Sequence, residues 1–474
     1  MSAAAMVVHA GSFHEKAECQ GLAHFCEHMI FMGSKKYPDE NELDSFLSRN
    51  SGSTNAFTEL EYTNYHFDVA PDKFREGLDI WAQFFIDPLM KEDSVEREVT
   101  AVHSEFEMAK TDDYCRKLQI IQEAVMKKDH PQSGFFWGNR KSLWDDPKTI
   151  KKTAYDMLHD WYPRNYSSSW MKLVIQFSPH SLDEQQKWVE EVFSLVPSRN
   201  LQKALDEPDW SLGSAFKGQN VSKLIKYFPT ADGHTVDIMW SLPSQKEFFR
   251  VKPLHFYGWL IGHEGKGSIL SYLKQKDWAH EIYAGNSGQA CEMNKYHSEL
   301  SIQFRLTDAG LENWDNVLAV VFSYLKMLET LSEEDQLRIF NEIKKIEAIN
   351  WATKEDKKAM QNCIDAAESM IDFKDSKRWL DGDDLIFDYD SQMLRGILNH
   401  MTAKNCTVIL SSKNYESCVD IVEEWMGGKY SIDDLSSETI ESWANAPVLS
   451  ELFVPSSNKY LAEDIKVKED EPSL

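Results

Sequence analysis

The spacing of apolar and polar positions changes several times along this chain. Short alternating or continuous apolar runs predict strands at 3–9, 65–69 and 170–177, and recurrence at i, i+3 and i+4 predicts helices at 21–32, 41–49, 72–85, 93–110 and 182–195. The stretch 206–218 keeps neither period and is rich in Pro, Gly and Ser, so it reads as a linker. Beyond it the earlier pattern returns. His24-Phe-Cys-Glu-His-Met-Ile has a counterpart in His255-Phe-Tyr-Gly-Trp-Leu-Ile, Tyr65-His-Phe-Asp-Val in Ile302-Gln-Phe-Arg-Leu, and the strand at 173–177 in Cys406-Thr-Val-Ile-Leu. The shared order predicts one α/β unit used twice: 1–205, a linker at 206–222, a second unit at 223–450 and a tail at 451–474.

A length of 474 residues agrees with more than one hydrophobic core. Against 51 basic side chains stand 77 acidic ones, a net charge of −26 that argues against nucleic acid or anionic membrane as partner and suits a cationic one. Seven cysteines without a CxxC pair are no disulfide framework and fit a reducing compartment. The opening Met-Ser-Ala-Ala-Ala-Met-Val-Val lacks a basic signal-peptide start, and no run approaches the ~18 apolar residues of a membrane span. The expected location is therefore cytoplasmic.

The sharpest chemical signal is Gly21-Leu-Ala-His-Phe-Cys-Glu-His-Met. On a helix His24, Glu27 and His28 share a face, where two imidazoles one turn apart can hold a zinc ion and a carboxylate can take a proton from water. This H-x-x-E-H order inverts the commoner zinc-peptidase motif. Two core-edge histidines would give the same pattern. A third ligand must come from elsewhere, and in the helix at 93–110 Glu98 and Glu105 border the apolar stripe Val95, Val99, Val102 and Phe106. Helix spacing alone favours a solvated helix edge for both. His103 points away from Glu105. Cys26 beside Glu27 is either a small buried residue or a thiol whose modification would block the site. Gly262-His-Glu-Gly-Lys-Gly-Ser lacks the Ser or Thr that a phosphate loop requires after its lysine.

These segments, together with Met32-Gly-Ser-Lys-Lys-Tyr-Pro, Gly52-Ser-Thr-Asn-Ala-Phe-Thr, Phe135-Phe-Trp-Gly-Asn and the run 250–270, resemble the insulin-degrading enzyme and nardilysin group of inverzincin metallopeptidases, family M16. The likeness extends over nearly the whole chain and is strongest toward the nardilysin branch. It implies an α+β fold of two homologous α/β sandwich domains, each a mostly antiparallel sheet packed by helices. It implies one Zn2+ per chain on His24, His28 and Glu105, with Glu27 as general base and Glu98 as a carboxylate orienting the site. Asn55, Ala56, Phe57 and Thr58 would form an edge strand that pairs with a peptide substrate. In the second unit Glu27 and His28 are replaced by Gly258 and Trp259, so that unit is non-catalytic. Trp259, Gly262, His263, Ala284 and Gly285 occupy the positions of a substrate exosite.

The resemblance also sets expectations about extent. Relatives carry a strand before the counterpart of Ser2 and a second half after the counterpart of 458–462. From this follow an unpaired sheet edge at 2–9, a candidate homodimer or partner-chain surface, and metal binding that needs only the first unit. Two functions stay open: a zinc endopeptidase acting on short or unfolded peptides at basic or dibasic sites, and a half-length protein that binds zinc and peptides with weak turnover.

Overall fold

The computed structural model describes residues 1–177, 180–199, 204–216, 221–288 and 291–465, so part of the linker and the acidic tail from Lys466 lie outside the described residues. The strands form two sheets. β1 (Ser2–Val8), β2 (Ser53–Thr58), β3 (Thr63–Val69) and β4 (Met171–Gln176) make the first, in the order β2-β3-β1-β4, with every pair antiparallel. β5 (Lys223–Phe228), β6 (His234–Leu242), β7 (Ala279–Gly285), β8 (Ser298–Leu306), β9 (Cys406–Ser412), β10 (Ile421–Val422) and β11 (Lys429–Asp434) make the second, in the order β10-β11-β5-β9-β6-β8-β7. There only β5 and β9 run parallel. The core order β4-β1-β3-β2 recurs as β9-β6-β8-β7, which is the internal repeat in three dimensions. The fold is α+β.

The expected open edge at 2–9 is not there. β1 pairs with β3 from Ser2↔Val69 to Val8↔Thr63, and on its other side with β4 from Ala3↔Gln176 to Val8↔Met171. Every residue of β1 is buried, as suits a run apolar on both faces. Ala4, Met6 and Val8 face a core of helices, among them the motif helix Leu22–Ile30. Ala3, Ala5 and Val7 face a second layer formed by the docking helix Ala359–Asp372, whose Cys363, Ile364 and Ala367 pack on them. The alanines of β1 permit this close approach of a helix.

Because the docking helix follows the second sheet's β8 in the chain, the two repeats share a core across the first sheet. Ionic contacts reinforce the junction. Glu61, in the β2–β3 turn, is fully buried and meets Lys246 Nζ at 2.6 Å, and Lys246 also reaches Asp372 at 2.8 Å. The Lys295 backbone N–H donates to Glu61 at 2.9 Å. Arg164 and Asn165 anchor Asp206, at the start of the linker, at 2.7 and 2.9 Å.

On the docking helix, Glu368 accepts a hydrogen bond from Asn64 at 3.1 Å, and burial pushes its carboxyl from 4.5 up to about 7. The folded state therefore binds that proton more tightly, and the stability it contributes is lost as pH rises from 4.5 to 7. Glu368→Gln should raise the urea midpoint at pH 8 and change it far less at pH 5; equal shifts at both pH values would contradict this. Glu61→Ala strands Lys246 in a buried site with one remaining partner and should cost about 3 kcal/mol. An unchanged urea midpoint would show that the junction does not depend on that pair.

Candidate metal and catalytic centre

The motif helix Leu22–Ile30 buries Leu22, Ala23, Phe25, Cys26, Met29 and Ile30, which leaves His24, Glu27 and His28 toward a cleft of about 630 Å³. Its first turn is tightly built. The Glu15 carboxylate accepts the N–H groups of Gly21 and Ala23 at 2.6 and 2.8 Å, satisfying donors that no helical carbonyl reaches. Gly21 has φ +86°, and a Cβ there would lie 2.1 Å from the Gly138 Cα. The loop 135–139 therefore rests directly on the helix start, and the Phe135 N–H donates to Gln20 at 2.9 Å.

That loop orients one imidazole. His24 Nδ1–H donates to the Trp137 carbonyl at 2.7 Å, which turns Nε2 toward the cleft. His28 is oriented likewise, its Nδ1 lying 3.4 Å from Glu98 Oε2. Glu98 and Glu105 both project from the acidic helix Val95–Ala109, seated by Val95, Val99, Val102 and Phe106. Glu105 meets His24 Nε2 at 3.2 Å and His28 Nε2 at 3.6 Å. His24, His28 and Glu105 offer three donor atoms within 4.8 Å of one another, the one such trio among the described residues. Tetrahedral bonds of about 2.1 Å would place donors ~3.4 Å apart, so this set fits a zinc ion with small side-chain adjustments.

Charge is arranged around that point. Burial raises the Glu27 carboxyl, opposed by His24 and by a 2.6 Å bond from the Thr58 hydroxyl to Oε2. Burial acts against the charge on His28, but Glu105 and Glu98 outweigh it and raise the imidazole to about 9 without metal. Bonds from His24 and His28 hold Glu105 well below the usual carboxylate range. Burial works against the Glu98 charge too, but His28 and Arg97 outweigh it and keep that carboxyl low. Cys26 is fully buried and burial pushes its thiol far up, so it is a packing residue rather than a modifiable thiol.

β2 lies at the edge of its sheet beside the cleft. Its alternation separates the four predicted contacts. Thr58 reaches Glu27 and Ala56 packs on the helical core, whereas Phe57 packs on the opposite face beneath the docking helix and Asn55 is exposed. Only the backbone of β2 is common to all four.

Trp259, Gly262, His263, Ala284 and Gly285 line a second cavity of about 910 Å³. His255 meets Glu347 at 3.0 Å, repeating the His24–Glu105 pairing, but Trp259 stands where His28 would be and stacks on His263. A Cβ on Gly258 would lie 2.9 Å from the Gly285 Cα. Close contact between helix and β7 thus leaves no room for a counterpart of Glu27. Sequence reasoning missed Glu15, the Trp137 carbonyl, Glu347 and the bond from Thr58 to Glu27. A carbonyl carries no side-chain signal, Thr58 and Glu347 act 31 and 92 residues away from their partners, and Glu15, only six and eight residues from the N–H groups it accepts, sits in a turn that no period marks.

Comparison with known proteins agrees with this architecture. Residues 1–133 match "Insulinase (Peptidase family M16)", 153–341 the "Peptidase M16 inactive domain" and 351–474 the "Middle or third domain of peptidase_M16". Nardilysin of Rattus norvegicus is 41% identical over 469 residues, covering 98% of this chain and 40% of the relative. Insulin-degrading enzyme of Drosophila melanogaster is 32% identical over 469 residues, with shares of 99% and 46%. The crystal structure of pitrilysin superimposes with a TM-score of 0.88 at 28% identity, over 98% of this chain and 48% of that one. The chain belongs to peptidase family M16, and it spans a little under half the length of these relatives.

If Glu98 holds His28 as the geometry indicates, Glu98→Gln should weaken Zn2+ binding by roughly 10- to 100-fold. Competition with a chromophoric chelator measures this, and an unchanged affinity would remove Glu98 from the site.

Proposed function

We propose that the first cleft is the active site of a zinc metalloendopeptidase that hydrolyses short or unfolded peptides. The observation that carries this reading is the convergence of His24, His28 and Glu105 beside the buried carboxyl of Glu27 and an open sheet edge. When bound, the metal supplies polarisation of a carbonyl and acidification of water. His24, His28 and Glu105 hold it, one ion per chain. Glu98 and the Trp137 carbonyl fix the two imidazoles.

Glu27 accepts the proton of the attacking water and returns it to the departing amine nitrogen. Burial favours its protonated form, so a proton gained can be held until the amine leaves. The Thr58 hydroxyl on Oε2 leaves Oε1 for that exchange. The backbone of Asn55, Ala56, Phe57 and Thr58 pairs with an extended peptide, laying the scissile bond across the centre. Trp259, Gly262, His263, Ala284 and Gly285 hold another part of the same peptide. The net charge of −26 favours basic or dibasic substrates. Seven cysteines without a CxxC pair suit a reducing, cytoplasmic setting.

A second reading has support in the open site, where the Glu105 side chain is 42% exposed. In it the chain binds zinc and peptide but turns over weakly until a partner chain or second copy closes the cleft, because an unscreened site forfeits preorganised contacts. Cleavage of a quenched peptide containing an Arg-Lys pair separates the two. The first reading expects turnover by the zinc-loaded wild type and at least about a 100-fold loss in Glu27→Gln with zinc retained. Equal cleavage by Glu27→Gln would contradict the role of Glu27. Zinc binding without turnover would favour the second reading.

A further inference from the structure

The loop that orients His24 is held from the far end of the chain. Phe135 lies against Trp425 with ring centres 4.2 Å apart and planes inclined by 4°. Lys141 places its ammonium 4.2 Å from the centre of the same indole and pairs with Glu424 at 3.2 Å. Phe106, the residue after Glu105, is buried and meets Phe135 edge-on at 5.4 Å. Met426 completes this apolar cluster, which also takes in Trp137. The turn carrying Trp425 and Met426, between β10 and β11, is braced from within. The buried Glu423 carboxylate accepts their backbone N–H groups at 2.7 and 2.5 Å.

Two of the three metal donors therefore back onto one cluster. His24 does so through the Trp137 carbonyl, and Glu105 through Phe106 on the same helix. The cluster is finished by residues of the second unit. We propose that Trp425 is a positioning residue for the metal centre: by clamping Phe135 it holds the Trp137 carbonyl against His24 Nδ1 and fixes the acidic helix at Glu105. This rests on His24 and Glu105 being metal ligands. It departs from the expectation that metal binding needs only the first unit, because in this structure the first unit alone lacks one wall of the cluster.

A stack that only adds packing would change unfolding of the metal-free protein and leave the metal untouched. The test is Co2+ affinity of the full chain, by competition with a chromophoric chelator, with the d–d absorption of the Co2+ form as a second readout. Trp425→Ala should bind Co2+ about tenfold more weakly, the lower end for groups that support a ligand, with an altered d–d band. Trp425→Phe, which can still stack, should come within about twofold of the wild type. Should Trp425→Ala fail to fold, Lys141→Gln loosens the same clamp from an exposed position and should cost about threefold, and an unchanged Co2+ affinity and spectrum there would overturn the proposal. Unchanged affinity and spectrum in Trp425→Ala, with only the unfolding midpoint shifted, would overturn the proposal. So would a loss in Trp425→Phe as large as in Trp425→Ala. A wild type that binds no Co2+ would overturn the ligand reading and this inference with it.

Discussion

Two ring nitrogens one helical turn apart face a common point only if their helix is fixed in both rotation and height, and here the contact of Gly21 with Gly138 does the fixing. A Cβ on Gly21 would collide with the Gly138 backbone and Gly138 itself takes φ +76°, so two backbones touch and the loop 135–139 has one height relative to the helix. From that contact follow the Trp137 carbonyl on His24, the carboxylate cap from Glu15 and the direction in which both Nε2 atoms point. The apolar face of the helix, sealed by Phe25, Cys26, Met29 and Ile30, sets the rotation. Both imidazoles thus have a partner that orients Nδ1, whereas Glu105 meets only the two Nε2 atoms themselves.

The second repeat shows the same framework with the chemistry removed. Its helix Pro253–Ile261 keeps His255 and gives it a carboxylate partner in Glu347, yet Gly258 lies against Gly285 and Trp259 fills the place of the second imidazole. Space that a catalytic carboxylate would occupy is taken by backbone. What remains is a cavity of about 910 Å³ with Trp259 in its wall and carboxylates paired with Lys246 and His255 in its lining. The docking helix and the pairing of Glu61 with Lys246 tie this unit to the first sheet, so the two clefts belong to one body.

Legibility in the sequence followed the range of each interaction. The i, i+4 spacing of His24 and His28 is local, and so is the helical angle that separates Glu105 from His103. Both could be read directly. The repeat was visible because His255-Phe and Cys406–Ile409 preserve short local patterns. Pairing partners were not visible. β1 reads as an exposed edge until β4, some 160 residues later, is seen to complete it. The Trp137 carbonyl, the Glu347 partner of His255 and the Trp425 stack on Phe135 depend on contacts that no local period encodes. Asn55 to Thr58 were recognised as an edge strand, but strand alternation sends Phe57 beneath the docking helix and Thr58 to Glu27.

The most direct measurement is diffraction from zinc-soaked crystals of the chain, collected on both sides of the zinc absorption edge. The account requires one anomalous peak about 2.0–2.2 Å from His24 Nε2, His28 Nε2 and a Glu105 carboxylate oxygen, with Glu27 alongside but not ligating. No peak there, or a peak bound by other groups, would contradict the assignment on which the proposed chemistry stands.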